Sequence, residues 1–315
     1  MNLKGIGVEL YDMSLRDLMC VLPGQVSLEQ LTALACALDA AGMPVIEIGT
    51  TLQSGSDIWW RGPAGQELEA CLRAIVPRLK QAKVALQLTP GAAVGEQLER
   101  ASDWGVETVC LAAHWQDAAI ISPGLRLARR LGLEAIGTLM MAHEGEGDLL
   151  RQQALIMEAE GASCIALADT EGLMYSADVR SRMEVLRAAL DPATELGFHG
   201  HNANAASAIS NSLAAIEGGA RRIEGTLTVP GLGHTPIAAL CSTYTRLGIM
   251  TGVDAYQLAD IGEALVLPLL NARGLGDGPP AAAPVAYSQA APRVERRGAA
   301  NSRPIFSWGR AAAKA

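Results

Sequence analysis

Aromatic residues are scarce in this 315-residue chain, at 4%, although half of its residues are apolar. Small and aliphatic side chains dominate the apolar set, which is typical of helices packed on a parallel sheet. No uninterrupted apolar stretch of about 18 residues occurs, so we expect no membrane span. The first five residues lack the charged and apolar regions of a secretory signal, which favours a cytoplasmic protein.

Long basic runs and paired cysteines are missing as well. The formal net charge is −8, and no basic run precedes the C-terminal tail, so nucleic acid is not an expected partner. The six cysteines are scattered, without a C-x-x-C pair. Most lie in apolar runs, where a buried free thiol is the expected state, and this favours a reducing compartment.

Runs typical of strands alternate with runs typical of helices over most of the chain, and Ser27 opens a capping box with Gln30. Eight such units with apolar strands favour a (β/α)8 TIM barrel over a doubly wound sheet. No G-x-G-x-x-G follows the first strand, which disfavours a dinucleotide fold. The predicted strands cover residues 8–11, 45–48, 84–88, 109–112, 135–140, 164–167, 195–198 and 222–226.

The predicted fold class is therefore α/β, with the barrel over residues 1–255. Residues 256–273 are predicted as a C-terminal helix, because they have an amphipathic pattern. From Gly274 the composition changes to glycine, proline, alanine and arginine. We therefore expect a tail with little fixed structure over residues 274–315.

Two polar segments, residues 15–20 and 198–202, each follow a predicted strand. His199 and His201 are two positions apart, so their imidazoles point to the same side of a strand and can share one ion. Asp17 supplies a carboxylate, and active groups of TIM barrels lie past the C-terminal strand ends. The pattern predicts a divalent metal on these three residues: Mn²⁺ or Mg²⁺ suits the mixed donor set, and Zn²⁺ fits the ligand types.

Single motifs of this kind often have ordinary roles. An Arg-Asp pair is more often a surface ion pair than a metal site, so the metal interpretation depends on both motifs lying at strand ends. Glu47 in the second strand and residues 169–172 after the sixth also lie where a barrel places its site. His114, His143 and His234 are interpreted as loop or structural histidines, although His143 could face the site.

An ion with one carboxylate and two imidazole ligands keeps about three open positions, and a 2-oxo acid can occupy two of them. The metal would act as a Lewis acid that stabilises an enolate when a carbon–carbon bond breaks. Arg16 would add a second positive charge beside the developing oxyanion. Proton transfer then requires a separate base.

The chain resembles the 4-hydroxy-2-oxovalerate aldolases, members of a metal-dependent barrel superfamily that includes hydroxymethylglutaryl-CoA lyase and the isopropylmalate and homocitrate synthases. The resemblance covers residues 8 to 270. Matching segments are Arg16-Asp17-x-Met19, Ile46-Glu47, residues 139–143, Asp169-Thr170-x-Gly172-x-Met174, His199-x-His201, Asn211-Ser212 and Glu217-Gly218.

This resemblance implies a divalent metal, usually manganese, on Asp17, His199 and His201. It also implies an enolate-stabilising role for Arg16 and a substrate-contacting hydroxyl on Thr170. The implied reaction is retro-aldol cleavage of a 4-hydroxy-2-oxo acid to pyruvate and an aldehyde, as in the catabolism of aromatic hydrocarbons. An acylating aldehyde dehydrogenase is the implied partner, and a homo-oligomer is a further expectation.

Three departures from the family pattern affect these expectations. The family's catalytic histidine falls at Cys20, whose thiol could replace it as the base if its pKa were lowered. The glycine after the Arg-Asp pair is Leu18 here. The family's C-terminal helices are replaced by the tail, in which Tyr287 is the best match to a substrate-contacting tyrosine.

Two alternatives to an aldolase stay open at this point. The first is a carbon–carbon lyase or synthase of the same superfamily that uses an acyl-CoA. The second is a non-catalytic homologue that serves as a binding or scaffold protein, and the replacement of the histidine by Cys20 motivates it.

Overall fold

A computed structural model of the protein describes residues 3–50, 68–88, 94–145, 147–202, 207–227 and 233–275. Eight parallel strands form a closed ring in chain order, in which the last strand pairs with the first. The predicted TIM barrel is confirmed. The strands are β1 (Glu9–Asp12), β2 (Val45–Thr50), β3 (Lys83–Leu88), β4 (Thr108–His114), β5 (Glu134–Met140), β6 (Cys164–Asp169), β7 (Glu195–Gly200) and β8 (Arg222–Gly225).

Helices lie between the strands in the sequence and after the last strand. They are α1 (Ser14–Val21), α2 (Leu28–Ala40), α3 (Leu68–Ile75), α4 (Val94–Asp103), α5 (Ser122–Arg130), α6 (Gly147–Ala159), α7 (Ser176–Ala189), α8 (Ala208–Glu217), α9 (Ile237–Leu247), α10 (Ala255–Ile261) and α11 (Leu267–Asn271). The capping box of α2 is confirmed, because Ser27 Oγ accepts from Gln30 N while Gln30 Oε1 accepts from Ser27 N.

Side chains of each strand alternate between the barrel interior and the surrounding helices. Tyr11, Val45 and Ala85 belong to a small interior cluster, while outward-facing strand residues join the large core shared with the helices. Because a strand repeats every two residues, Glu47 and Gln87 occupy the next inward positions after Val45 and Ala85. Polar side chains thereby reach the C-terminal end of the barrel interior.

The short helix α1, which carries Arg16 and Asp17, was not predicted as a helix. Its eight residues are too few to show a periodic pattern. Asp12 turns the chain from β1 into α1 by accepting hydrogen bonds from Ser14 N at 2.9 Å and Ser14 Oγ at 2.8 Å. Ser14 Oγ in turn accepts from Leu227 N at 2.7 Å, which ties α1 to the segment after β8.

The C-terminal helical extension consists of α10 and α11 with a π-helical turn between them. A π-helical turn, Gly262–Val266, separates α10 from α11. Pro268 lies in the first turn of α11 and has no backbone N–H to donate. The helix therefore lacks a regular hydrogen bond there, which accounts for the wider π-helical turn just before α11. No helix in the described part of the chain is long and apolar enough to cross a membrane. The predicted tail beyond Leu275 lies outside the described residues.

Candidate metal centre

His199 and His201 lie at the C-terminal end of β7, and their ring centroids are 4.8 Å apart. The two imidazoles therefore face the same region, as the i, i+2 spacing predicts. Nδ1 of His199 lies 2.6 Å from Glu224 Oε2, and Nδ1 of His201 lies 3.0 Å from the carbonyl oxygen of Asp169. Since carboxylate and carbonyl oxygens accept, each Nδ1 donates, and Nε2 is the ring nitrogen left for another partner.

His234 is the third histidine of this cluster. Its ring centroid lies 4.9 Å from that of His199 and 4.5 Å from that of His201. One candidate ligand atom from each of the three residues lies within 4.8 Å of the other two. The structure thus brings His234, which the sequence analysis interpreted as a loop or structural histidine, into the same cluster as His199 and His201. It follows β8, so the barrel rule, had it been applied to that strand end, would have identified it.

Asp17 lies between His234 and Arg16 and is fully buried. Its Oδ2 is 2.5 Å from Nδ1 of His234, and its Oδ1 is 3.1 Å from Nε of Arg16. Burial opposes ionisation, but the neighbouring His234 and Arg16 bring the pKa of Asp17 below its ordinary value. Burial lowers the pKa of His234 despite the carboxylate. The pair is thus a carboxylate with a neutral imidazole that donates to it.

Arg16 also contacts a second carboxylate. Its Nη1 lies 2.8 Å from Glu47 Oε1 and 3.0 Å from Gln87 Oε1, and the hydroxyl of Tyr11 donates to Glu47 Oε2. Burial raises the pKa of Glu47, although Arg16 opposes this shift. Burial and the nearby Glu47 raise the pKa of Tyr11, which keeps the phenol protonated. These contacts hold the guanidinium of Arg16 in one orientation at the barrel mouth.

Thr170 follows β6 and is buried. Its Oγ1 accepts a hydrogen bond of 2.8 Å from the backbone N of Met141, a residue with φ of 56°. That left-handed conformation costs a residue with a Cβ of order 1 kcal/mol, so Thr170 helps to hold a strained turn after β5. The predicted contact between Thr170 and substrate stays a prediction.

Cys20 lies in the last turn of α1 and is half-buried. Burial raises the pKa of its thiol to about 11; Asp17 adds to the shift and Arg16 opposes it. At neutral pH the group is therefore a thiol rather than the thiolate that a base requires. The sequence analysis made the role of Cys20 as a base depend on a lowered pKa. In the protein without a bound metal, the pKa of Cys20 is raised instead.

The remaining candidate histidines contact glutamates outside the histidine cluster. His143 follows β5, and its Nε2 lies 3.7 Å from Glu171 Oε2. Its Nδ1 is buried and has no hydrogen-bond partner among the described residues. His114, at the end of β4, lies 3.9 Å from Glu144. Tyr287 is in the part of the tail outside the described residues.

Several residues that support the cluster were not among the sequence-based candidates. They are Tyr11, Gln87, Glu224 and His234. Three of them lie at inward positions of strands, where the alternation that placed Glu47 would also have placed them. The sequence does not show, however, which group an inward-facing polar side chain contacts in the folded protein.

The three imidazoles fit a divalent metal ion. Each Nδ1 faces an oxygen, the arrangement that orients a metal-bound histidine and leaves Nε2 for the ion. His201 and His234 are buried, and burial lowers the pKa of both, so the rings are neutral donors. Asp17 adds an anionic oxygen beside them.

Comparison with known proteins identifies similar sequences over most of the chain. The HMGL-like family model matches residues 7–265. A 4-hydroxy-2-oxovalerate aldolase of Stutzerimonas stutzeri is 45% identical over 275 residues, which cover 86% of this chain and 79% of that protein. A protein of the same name from Pseudomonas putida matches with the same identity and the same coverage.

Solved structures show the same fold at much lower sequence identity. The HMG-CoA lyase of Bacillus subtilis superposes with a TM-score of 0.71 at 18% identity, covering 84% of this chain and 95% of that one. At this identity the likeness concerns the barrel fold and not the reaction.

Proposed function

The chain belongs to the HMGL-like family, and we propose that it is a metal-dependent aldolase that cleaves a 4-hydroxy-2-oxo acid to pyruvate and an aldehyde. One observation carries the proposal: α1 and β7, from opposite ends of the sequence, bring Arg16-Asp17 and His199-x-His201 to one mouth of the barrel. The relatives that share 45% of their residues with this chain are named for the aldolase reaction.

We propose Asp17, His199 and His201 as metal ligands and Mn²⁺ as the ion, with Mg²⁺ and Zn²⁺ as alternatives. A divalent metal bound there would supply a Lewis acid that polarises the ketone of a 2-oxo acid. The Nδ1 atoms of the two imidazoles face Glu224 and the Asp169 carbonyl, which leaves Nε2 of each ring for the ion. The Asp17 carboxylate is ionised, so it contributes negative charge to the site.

Arg16 is proposed to stabilise the charge that develops in the reaction. When the C3–C4 bond of the substrate breaks, its electron pair moves toward the ketone carbon and negative charge appears on the ketone oxygen. A buried guanidinium held by Asp17 and Glu47 is oriented before the reaction, so it stabilises this oxygen without reorganising. Thr170 is proposed to contact the substrate from the end of β6.

Cleavage also requires that the 4-hydroxyl lose its proton and that C3 gain one. Cys20 is the proposed proton acceptor, because it occupies the position of the family's catalytic histidine. With a pKa of about 11, only a small fraction of the group is the thiolate that can accept a proton at neutral pH. We therefore expect slow turnover, with a rate that rises as the pH increases toward the pKa of the thiol.

A non-catalytic homologue is the second candidate, and Cys20 is the observation that favours it. Such a protein would bind a 2-oxo acid and metal but would release no pyruvate. The acyl-CoA-using alternative has no comparable support in the described residues. An acylating aldehyde dehydrogenase as partner, a homo-oligomer and a cytoplasmic location stay predictions.

The test is pyruvate release from a series of 4-hydroxy-2-oxo acids by the full-length protein loaded with Mn²⁺. Pyruvate production that requires metal and disappears in Asp17→Ala supports the aldolase. Binding of the 2-oxo acid by calorimetry, combined with no pyruvate from any member of the series, would establish the non-catalytic candidate instead.

A further inference from the structure

One imidazole nitrogen at the C-terminal end of the barrel is buried without a hydrogen-bond partner among the described residues. It is Nδ1 of His143, in the turn Ala142–Glu144 that follows β5. We propose that His143 is a further catalytic residue, which delivers the proton that C3 gains when the enolate becomes pyruvate. This inference rests on the proposed function. It assigns the second of the two proton transfers that cleavage requires, beside the transfer proposed for Cys20.

The turn that carries His143 is held firmly in an unfavourable backbone conformation. Met141, two residues before His143, has a φ of 56° and donates its backbone N–H to Thr170 Oγ1 at 2.8 Å. Arg182 in α7 donates hydrogen bonds of 2.9–3.1 Å to three backbone carbonyls of residues 142–145. Strain of this kind persists only where surrounding contacts require it, and it is concentrated at functional sites. The fold thus fixes the position of His143 at the mouth.

The other ring nitrogen of His143 faces a carboxylate. Nε2 lies 3.7 Å from Oε2 of Glu171, in the segment after β6. This separation is longer than a hydrogen bond, but contacts of catalytic groups often shorten only when substrate binds. A carboxylate on this side favours the tautomer with a proton on Nε2, which leaves the lone pair on the unpartnered Nδ1. It also stabilises the imidazolium that forms when Nδ1 takes up a proton.

His143 and Cys20 follow strands on opposite sides of the barrel. The eight strands form a closed ring in chain order, so β5, which precedes His143, lies across the ring from β1, which precedes α1 and Cys20. Burial raises the pKa of Asp169, at the end of β6, and two backbone N–H groups, His143 and His199 oppose this shift. Asp169 is therefore close to both His143 and the metal centre. A 2-oxo acid bound at the mouth would have one proton-transfer group on each side.

The two groups together complete the cleavage. The thiolate of Cys20 takes the proton of the 4-hydroxyl, the O–H electron pair forms the aldehyde carbonyl, and the C3–C4 electron pair becomes that of the enolate. The imidazolium of His143 then gives its Nδ1 proton to C3, and the enolate electrons form the C3–H bond as the ketone of pyruvate forms. Afterwards the thiol releases one proton to water and the imidazole takes up one, so no proton is consumed.

Exchange of the pyruvate methyl protons with solvent isolates the transfer at C3, because it involves no aldehyde and no 4-hydroxyl. By microscopic reversibility, neutral His143 removes a methyl proton and returns a deuteron in D₂O. The full-length protein loaded with Mn²⁺ is incubated with pyruvate in D₂O, and mass spectrometry measures the deuterium gained by pyruvate. His143→Gln should lower the exchange rate at least about 10²-fold. The binding of pyruvate, measured by calorimetry, should not change.

Two further positions make the measurement specific. His114→Gln is the matched control, because His114 also lies at the end of a strand and 3.9 Å from a glutamate, Glu144; its exchange rate should equal that of wild type. Glu171→Gln should slow exchange about tenfold, because an amide stabilises the imidazolium less than a carboxylate does. Glu171→Asp keeps the charge and should restore part of the rate.

A wild-type exchange rate in folded His143→Gln, or an equal loss in His114→Gln, would overturn the role of His143. If His143→Gln does not fold, Glu171→Gln decides, and an unchanged rate there would overturn the role as well. A wild type that cleaves a 4-hydroxy-2-oxo acid but exchanges no methyl proton would also overturn it, while the aldolase proposal would stand. If wild type neither exchanges nor cleaves, the proposed function itself fails.

Discussion

The two ends of the barrel both bury charged side chains, but their partners differ. At the N-terminal end, Arg222 is 2% exposed and its Nη2 contacts Glu134, Glu9 at 2.5 Å and Glu195 at 3.5 Å. Lys83 Nζ lies 3.0 Å from Glu134. Each of these three carboxylates contacts a cation of the chain.

At the C-terminal mouth, Arg16 is paired with Asp17 and Glu47, but a cluster of three imidazoles lies beside that ion pair. One possible ligand atom each of His199, His201 and His234 lies within 4.8 Å of the others, and the Nδ1 of each ring faces an oxygen. A cation from outside the chain is the partner that such a set lacks. The two ends thus differ in their chemistry. Ion pairs around Arg222 stabilise the N-terminal end, whereas the C-terminal end carries the imidazole cluster, at the position where TIM barrels place their active sites.

The largest effect should come from Arg16 at the mouth. Arg16→Ala removes the cation beside the developing oxyanion and should lower kcat/KM about 10²–10³-fold. Arg16→Lys is the control, since it keeps the charge that Asp17 and Glu47 require and should restore stability more fully than activity. Steady-state pyruvate release with a thermal unfolding curve for each variant separates the two effects. Equal kcat/KM in wild type and Arg16→Ala would contradict a catalytic role.

A change at Cys20 should act in the opposite direction. Cys20→His introduces a base with a pKa near neutrality and should raise the retro-aldol rate about 10²-fold at pH 7. Cys36→His, at another half-buried cysteine, should leave the rate unchanged. The measurement is single-turnover pyruvate release as a function of pH. A Cys20→His rate no higher than wild type would count against Cys20 as the position of the base.

Arg222 tests the other end of the barrel. Arg222→Met should reduce the free energy of unfolding by about 2 kcal/mol, below the value for a fully buried pair, because the carboxylates are 22–51% exposed. Activity per folded molecule should not change. Lys83→Met is the matched control: Lys83 is 43% exposed, against 2% for Arg222, so the loss should be under about 1 kcal/mol. Urea unfolding monitored by tryptophan fluorescence measures the free energy of unfolding of both variants. Weaker metal binding by Arg222→Met would contradict a purely stabilising role for this end of the barrel.

The smallest effect concerns pH. Burial opposes ionisation of Glu134, but Arg222 and Lys83 bring its pKa below the ordinary value of 4.5. A lowered folded-state pKa contributes stability that is present above the unfolded-state value and is lost as the pH falls through the folded-state value. The difference in unfolding free energy between wild type and Glu134→Gln should be under about 1 kcal/mol at pH 7 and should vanish in acid. If the difference in unfolding free energy between wild type and Glu134→Gln increased as the pH fell, the lowered pKa of Glu134 would be contradicted.

Much of the site was predictable because strands have a simple period. His199 and His201 were placed side by side by the two-residue repeat, and Glu47 was placed at a strand end by the barrel rule. His234 was missed because the barrel rule was not applied to the end of the eighth predicted strand, where no periodicity draws attention to a single residue. The helix α1 was missed because eight residues do not establish a helical pattern.

The pKa of Cys20 is another property that the chain order does not reveal. Next to Arg16 and Asp17 in sequence, its thiol was expected to serve as a base only if a neighbouring charge lowered its pKa. Burial dominates instead and raises it. Desolvation depends on what covers a residue, and for Cys20 that depends on how the chain folds around α1.

The sequence by itself determined the eight strand–helix units and the barrel that they form, because the strand and helix periods can be recognised in short segments. It also determined that the motif residues lie at the C-terminal ends of strands, because each motif follows a strand in the sequence. Tertiary structure decided which groups meet: Asp17 with His234, Arg16 with Glu47, and Arg222 with three glutamates. The Arg16–Glu47 contact joins residues 31 positions apart and the Asp17–His234 contact joins residues 217 positions apart. The longer of these separations closes only because the last strand pairs with the first.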